Sequence, residues 1–543
     1  MTVTAEAAPP SATSSTETLA PAPVEPPRPV PAALTPWRDP SPLIGWAMTA
    51  LVFGVAAVSR LWALGWPSGK SFDEVYYATE AQEMLRYGYE DNRGYTFIVH
   101  PPLGKWLIAG TSWLGQRKLW FWHDTAIGWR MAPAIAGIVS VVLLARIARR
   151  MFRSNLFGGI AGLLLAVEGV SVVQSRVALL DIFLQVFIVA GFGALVLDRD
   201  QMRGRLARLL EGGVDLTTRV PALGPRPWRL VAGVMFGMAL ATKWSALSFF
   251  IAFVVLSLVW DRGALKSAGV RRSWRTAARR SWIGAIGSLV VAPLATYLMS
   301  YVGWFAGENS WNRHWADTHS ASGHLNLPFG IHPAFWWGWV PAPIRSLGSY
   351  TLHAYRFHET LYSPHPYGSK PWSWLVLARP VDYYYDGNSH SCGAQSCARE
   401  ILLIGTPLMW WAFIPVMLWL GWHWFTTRDW RAAAVWVAFA AGWLVWFPNL
   451  KRTMFLFYMT PLTPFLILGL TLGLGVLLGP AVVQTRNVAA YLAADRRRMW
   501  GSLAVAGYLG LVVADFAWMW PIYTGGLLTY DQWHLHMWFP SWV

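Results

Sequence analysis

Long apolar stretches separated by short polar ones dominate the chain from about residue 43 onward. Those at 43–64, 125–145, 155–173, 181–197, 282–303, 401–420, 432–448, 454–479 and 500–520 are each long enough to cross hydrocarbon about 30 Å thick as a helix. One more, 230–260, is ambiguous by length. As a single straight helix its 31 residues span about 46 Å, too long for one crossing and short for two.

Charge resolves that ambiguity. Arg146, Arg149, Arg150 and Arg153 follow the second apolar stretch, seven Arg fall in 198–229, and seven Lys or Arg fall in 261–280. The longer segment 304–400 holds only six. Basic loops stay on the cytoplasmic side, so the segments flanking 230–260 share that side and the chain must cross there twice. The vertex of this hairpin, near Lys243 and Trp244, then faces the other leaflet. The pattern predicts an all-α polytopic membrane protein with about eleven transmembrane helices, the N-terminus inside and the C-terminus outside. Two loops, about 65–124 and 304–400, become extracytoplasmic.

Composition sharpens the class. Of 543 residues, 55% are hydrophobic and 13% charged, about half the charge of a soluble domain, which excludes one. The net charge of +16 does not mark a nucleic-acid partner, because the cations sit in short loops between spans. Residues 1–40, rich in Pro, Ala, Ser and Thr, are expected to be a disordered cytoplasmic tail. They do not read as a signal peptide, since the first apolar stretch starts only near Leu43. Cys392 and Cys397 lie in an outer loop where a disulfide is allowed.

With this topology the ionisable residues outside the basic loops gather on one face. Asp73 and Glu74 follow the first span, and His100 and Lys105 share its loop. Arg176 and Asp181 mark one turn, Lys243 the hairpin vertex, and Lys451 and Arg452 another turn. Charged groups at membrane depth are expensive and normally mark a site. Asp73 and Glu74 point about 100° apart on a helix, so one would do chemistry while the other orients. Cations nearby suit an anionic, lipid-held substrate. The aromatic density of 304–400 suits lipid headgroups or sugar rings. No glycine-rich phosphate loop appears, which disfavours a cytoplasmic nucleotide donor.

These residues form a recognisable set. Phe72-Asp73-Glu74, the His100-Pro-Pro-Leu-Gly-Lys105 run, Arg176-Val-Ala-Leu-Leu-Asp181 and Thr242-Lys243-Trp244 resemble motifs of the protein O-mannosyltransferases. So does the long-loop signature, with His358, Tyr362, His365, Tyr367, Trp372 and Trp374 followed by Arg379-Pro380. The resemblance covers nearly all of residues 41–543 as one catalytic unit. Loop 304–400 is too short for the trefoil (MIR) domain of eukaryotic members, and Phe457-Tyr458 stands where those members commonly have His-Tyr. Both departures point to the bacterial branch.

The resemblance implies a GT-C glycosyltransferase fold in a multi-pass cell-membrane protein. It also implies inverting transfer of mannose from polyprenyl-phosphate-mannose to Ser or Thr hydroxyls of exported proteins, delivered by the secretion translocon. On this reading Asp73 is the base and Glu74 its helper. Arg176 and Lys243, then Lys105, Arg130 and Arg452, hold the donor phosphate. His100, Asp181, His358, His365, Tyr367, Trp372 and Trp374 contact sugar or acceptor. The phosphate leaves without help from an acid, and the scheme calls for no cofactor or metal. Two alternatives stay open: a transferase acting on a lipid or cell-wall glycan, and a transporter or flippase.

Overall fold

The computed structural model describes residues 30–37, 39–90, 99–117, 125–217, 220–221, 223–324, 334–387, 392–479 and 488–543. Most of the expected tail, 1–29, lies outside the described residues. Its last part packs against the bundle: Leu34 is buried beside Met202 and Leu206, and Arg203 donates to the Ala33 carbonyl at 2.6 Å.

Among the described residues, eight helices are long and apolar enough to cross a membrane, including Pro42–Leu61, Asp181–Glu211, Ala246–Ser267 and Pro407–Thr427. Three shorter apolar helices, Asn155–Ala166, Pro227–Leu240 and Trp430–Leu444, fall on three further expected spans. The 230–260 stretch is a helical hairpin, broken between Leu240 and Ala246 around Lys243. Thr463–Leu478, with twelve of its sixteen residues buried, and Asp181–Glu211 form the centre of the bundle.

Between helices in lipid there is little hydrophobic gain, so close approach of small residues does much of the packing. Gly233 and Gly237, one turn apart on Pro227–Leu240, press against the neighbouring helix. A Cβ at Gly237 would lie 2.7 Å from Pro293 backbone. That neighbour carries a π-bulge at Gly287–Val291 just before Pro293, the kind of local adjustment that an imino acid forces on a helix.

The third expected span, 155–173, is not continuous. It breaks at Val167–Glu168 and resumes as Gly169–Gln174. The backbone groups freed there are satisfied by buried side chains, as a break at membrane depth requires. Arg60 donates to the carbonyls of Leu165 (2.9 Å) and Ala166 (3.0 Å), and Thr406 donates to that of Val167 (2.8 Å). Glu168 accepts from the N–H groups of Val170 (2.9 Å) and Ser171 (2.6 Å) and from Trp410 Nε1 (2.8 Å).

The end of the bundle bearing the two long loops holds helices Glu74–Tyr87, Leu103–Gln116 and Ala342–Thr360 and two small antiparallel sheets. One sheet pairs Ser322–His324 with Ala334–Trp336. The other joins Val381–Asp386, Cys397–Leu403 and Leu528–Thr529. The expected span 401–420 is corrected here: residues 401–403 belong to a strand, and the helix starts at Pro407. A short apolar run such as Ile401-Leu402-Leu403 carries no period that separates strand from helix. Cys392 and Cys397 are joined by a disulfide.

Candidate active site

The chain leaves its first helix and reaches Asp73 through a constrained backbone. Phe72 has φ of +49°, a left-handed conformation costly for an aromatic residue. It is held there by its ring, stacked on Tyr383 at 4.6 Å and edge-on to Phe455 and Phe457. Asp73 is the N-cap of Glu74–Tyr87, but its carboxylate makes no capping bond to that helix. It is half-buried, and the charges of Lys243 and Asp181 act on it. Burial pushes its pKa up to about 6, the Lys243 ammonium pulls it back, and Asp181 adds to the rise.

Glu74 points elsewhere. It is fully buried and forms a two-pronged pair with Arg130, Nε to Oε1 at 2.9 Å and Nη2 to Oε2 at 2.8 Å. It also accepts from the N–H groups of Ser71 (2.8 Å) and Ala178 (2.9 Å). Arg130 spends its remaining donors on the carbonyls of Leu64, Pro67 and Gly69. The pair clamps the first loop onto the Arg176–Asp181 turn, so one acid faces the site while its neighbour fastens the loop that carries it.

Asp181 begins the central helix Asp181–Glu211, where a carboxylate is favoured by the helix dipole. Lys243 reaches it from the hairpin vertex, Nζ lying 2.9 and 2.8 Å from its two oxygens. The ammonium also lies over the rings of Tyr458 (5.2 Å) and Phe457 (5.7 Å). From Lys243 a cavity of about 660 Å³ opens, lined among others by His100, Trp244, His358, Trp446, Arg452 and Tyr458. Arg452 lies over Trp446 and Tyr458, each at 5.6 Å, and its Nη2 is 3.3 Å from His358 Nδ1. His358 Nε2 donates to the Val99 carbonyl at 2.6 Å, so its Nδ1 is the acceptor toward Arg452. Burial, then Arg452, pushes the His358 pKa down to about 4, and the stacked His100 is held low by burial and by His358. Both imidazoles are therefore neutral at physiological pH.

The remaining expected residues divide. Lys105 is fully buried between Glu90 (2.6 Å) and Glu80 (2.9 Å), a closed triad that does not line the cavity. Arg176 donates through Nη1 to the Trp62 carbonyl (2.6 Å) and to those of Ser59 and Arg60, closing the end of the first helix. Arg130 is engaged as described. Of these three, expected as phosphate ligands, Lys105 and Arg130 are taken up by the scaffold, and Arg176 gives its Nη1 to it. His365 packs against Phe455 and Phe72 on the outer side of the Asp73 loop. Tyr367 hydrogen-bonds Asp382 at 3.3 Å and lies under Arg379. Trp374 is buried, donating to Ser369 Oγ, whereas Trp372 is exposed beside Phe447.

Sequence reasoning missed Trp446 and Tyr355 of the cavity wall, and Tyr77 and Tyr383, which bury the Asp73–Asp181 cluster. Their signal, aromatic residues among many others in this chain, does not separate them from lipid-facing rings. Asp382 and Glu400 were missed as well. Burial raises both, Asp382 to about 6 and Glu400 to about 8, and they sit on adjacent strands.

Comparison with known proteins identifies the family. Residues 50–302 match the family profile described as dolichyl-phosphate-mannose-protein mannosyltransferase, and residues 346–542 match the C-terminal four TMM region of protein-O-mannosyltransferase. The chain is 43% identical over 508 residues to the polyprenol-phosphate-mannose–protein mannosyltransferase of Mycolicibacterium smegmatis, covering 92% of this chain and 93% of that one. It is 41% identical to the protein of the same name from Mycobacterium tuberculosis, covering 96% and 97%. In fold it is similar to the Saccharomyces cerevisiae protein O-mannosyltransferase Pmt1-Pmt2 complex bound to the sugar donor, with TM-score 0.69, 18% identity, and 92% and 93% of the two chains covered. A half-buried acid beside a lysine-carboxylate pair, at one end of a multi-pass helical bundle and within two matching profiles, leaves one conclusion: this chain is a member of the dolichyl-phosphate-mannose-protein mannosyltransferase family.

Proposed function

We propose that this protein transfers mannose from a polyprenyl-phosphate-mannose to Ser or Thr hydroxyls of exported proteins, with inversion, on the extracytoplasmic side of the cell membrane. The observation that carries this reading is an Asp73 carboxylate of raised pKa within the field of Lys243, which itself lines a cavity walled by Arg452, neutral imidazoles and aromatic rings. The acceptor oxygen attacks C1 of the sugar, and its proton passes to the Asp73 carboxylate. The C1–O bond to phosphate breaks, and the lipid phosphate leaves with the bonding pair. An inverting displacement needs a base on one face and room for the leaving group on the other. Lys243 and Arg452 stabilise the charge that grows on the phosphate, and the low-dielectric cavity strengthens both contacts. Trp446 and Tyr458 offer ring faces to the sugar. Residues 41–543 act as one unit whose three short apolar helices also cross the membrane, giving eleven spans. Acceptors arrive as extended chains from the secretion translocon, passing His365, Tyr367 and Trp372.

Purified full-length protein incubated with synthetic polyprenyl-phosphate-mannose and a Thr-containing peptide should yield peptide heavier by one hexose. Label appearing in glycolipid and never in peptide would replace this reading with the glycan-transferase alternative.

Two further outcomes follow from the geometry. A base with its pKa near 6 is active only when deprotonated, so transfer should rise through about pH 6 and level off above it. Lys243 lowers the Asp73 pKa, so Lys243→Met should move that rising limb to higher pH. A limb unmoved in the variant would detach Lys243 from Asp73. Arg452→Gln removes a charge-assisted contact and should raise the donor concentration needed by about tenfold. A donor titration measures it, and an unchanged half-saturation point would remove Arg452 from the phosphate site.

A further inference from the structure

At the opposite end of the bundle a second cavity, about 470 Å³, lies where helices Thr125–Phe152 and Pro407–Thr427 end and Trp430–Leu444 begins, beside the later turns of Asp181–Glu211. Its described lining contains four guanidinium groups, Arg150, Arg153, Arg199 and Arg431, against two carboxylates, Asp200 and Asp429. The carboxylates are already committed. Asp200 takes Arg150 at 2.7 Å and Arg199 at 3.0 Å, and Asp429 takes Arg431 at 2.6 Å while capping its own helix. Positive charge is left over, and one cation is deep inside. Arg199 is nine-tenths buried, its guanidinium lies 3.7 Å over the Trp430 ring, and its Nε has no hydrogen-bond partner among the described residues.

A buried donor without a partner is costly, and a guanidinium held flat on an aromatic face is pre-oriented to present its edge to a forked acceptor. Asp200 meets Arg199 through Nη1 alone, which leaves the Nε of that guanidinium over. Basic pockets between membrane helices commonly take phosphate headgroups, because such a group offers several anionic oxygens at the depth where these cations end. Phe152 and Trp430 on the wall give an apolar margin for the carbon chain next to such a headgroup. None of these residues belongs to the transfer site.

We propose that this cavity is an anion site for a phosphate ester, read chiefly by Arg199 and Arg431. The full-length protein, stripped of lipid in an uncharged detergent, can be titrated with phosphatidate or phosphatidylcholine and the retained lipid counted by native mass spectrometry. Phosphatidate should be retained at about tenfold lower concentration than phosphatidylcholine, and Arg199→Gln and Arg431→Gln should each remove that preference. Inorganic phosphate is the second arm. Displacement of phosphatidate by it would mean that the charged group alone is recognised, and retention against it would mean that the lipid is the source. Either result upholds the site. Equal retention of the two lipids, or full preference in both variants, overturns it. If Arg199→Gln does not fold, Arg150→Gln tests the same cavity from its exposed rim, its side chain being 40% exposed. The measurement reads lipid retention, so it stands apart from the proposed transfer activity.

Discussion

Asp73→Asn is expected to insert and fold as the parent does and to lose mannose transfer by about 10²–10³-fold. The side chain makes no capping bond to the helix it precedes, so the amide costs that helix no hydrogen bond. Its buried neighbours Tyr77 and Tyr383 tolerate a neutral group better than a charged one. What disappears is the proton acceptor beside Lys243. Initial rates with saturating donor and a Thr peptide, alongside a melting curve, separate these effects. Near-parental turnover would take the base role from Asp73. A collapse in melting temperature would instead show that the carboxylate is structural.

Arg130→Met has the second large effect, on stability. The substitution leaves the fully buried Glu74 carboxylate without its cation and the carbonyls of Leu64, Pro67 and Gly69 without a donor. Removing one partner of a buried pair costs about 3–5 kcal/mol. The variant should give little monodisperse protein in detergent, and combining it with Glu74→Gln should recover part of the loss, because the orphaned charge is then gone. A phosphate ligand would behave in the opposite way, keeping its stability while demanding more donor. The two outcomes therefore separate a fastener of the Asp73 loop from a donor clamp.

The span pattern was legible because a helix in hydrocarbon must satisfy its own backbone and leaves a run of apolar residues as its record. Charge even divided 230–260 correctly into a hairpin around Lys243. Legibility failed where the record is short. Ile401-Leu402-Leu403 gave no period and folds as a strand, and the break at Glu168 is concealed by apolar neighbours while Arg60 and Thr406 satisfy it from distant positions. Within the candidate site, Asp73, Lys243 and Arg452 stood out as charged residues at membrane depth. Trp446 and Tyr355 did not, since rings facing a cavity and rings facing lipid are written in the same letters.

The sequence by itself determined the membrane class, the positions of most apolar helices, the gathering of ionisable groups at one set of turns, and the motifs that mark the family. Only the tertiary structure decided which of those ions remain available for chemistry. Lys105, Arg130 and Arg176 differ little from Lys243 and Arg452 in one dimension, yet the fold encloses Lys105 between two glutamates, locks Arg130 onto Glu74, and turns Arg176 onto carbonyls at a helix end. The reason is physical. A cation's role is set by what surrounds it: Lys243, though paired with Asp181, and Arg452 line the cavity, whereas Lys105, Arg130 and Arg176 meet partners tens to more than a hundred residues away that packing alone brings close.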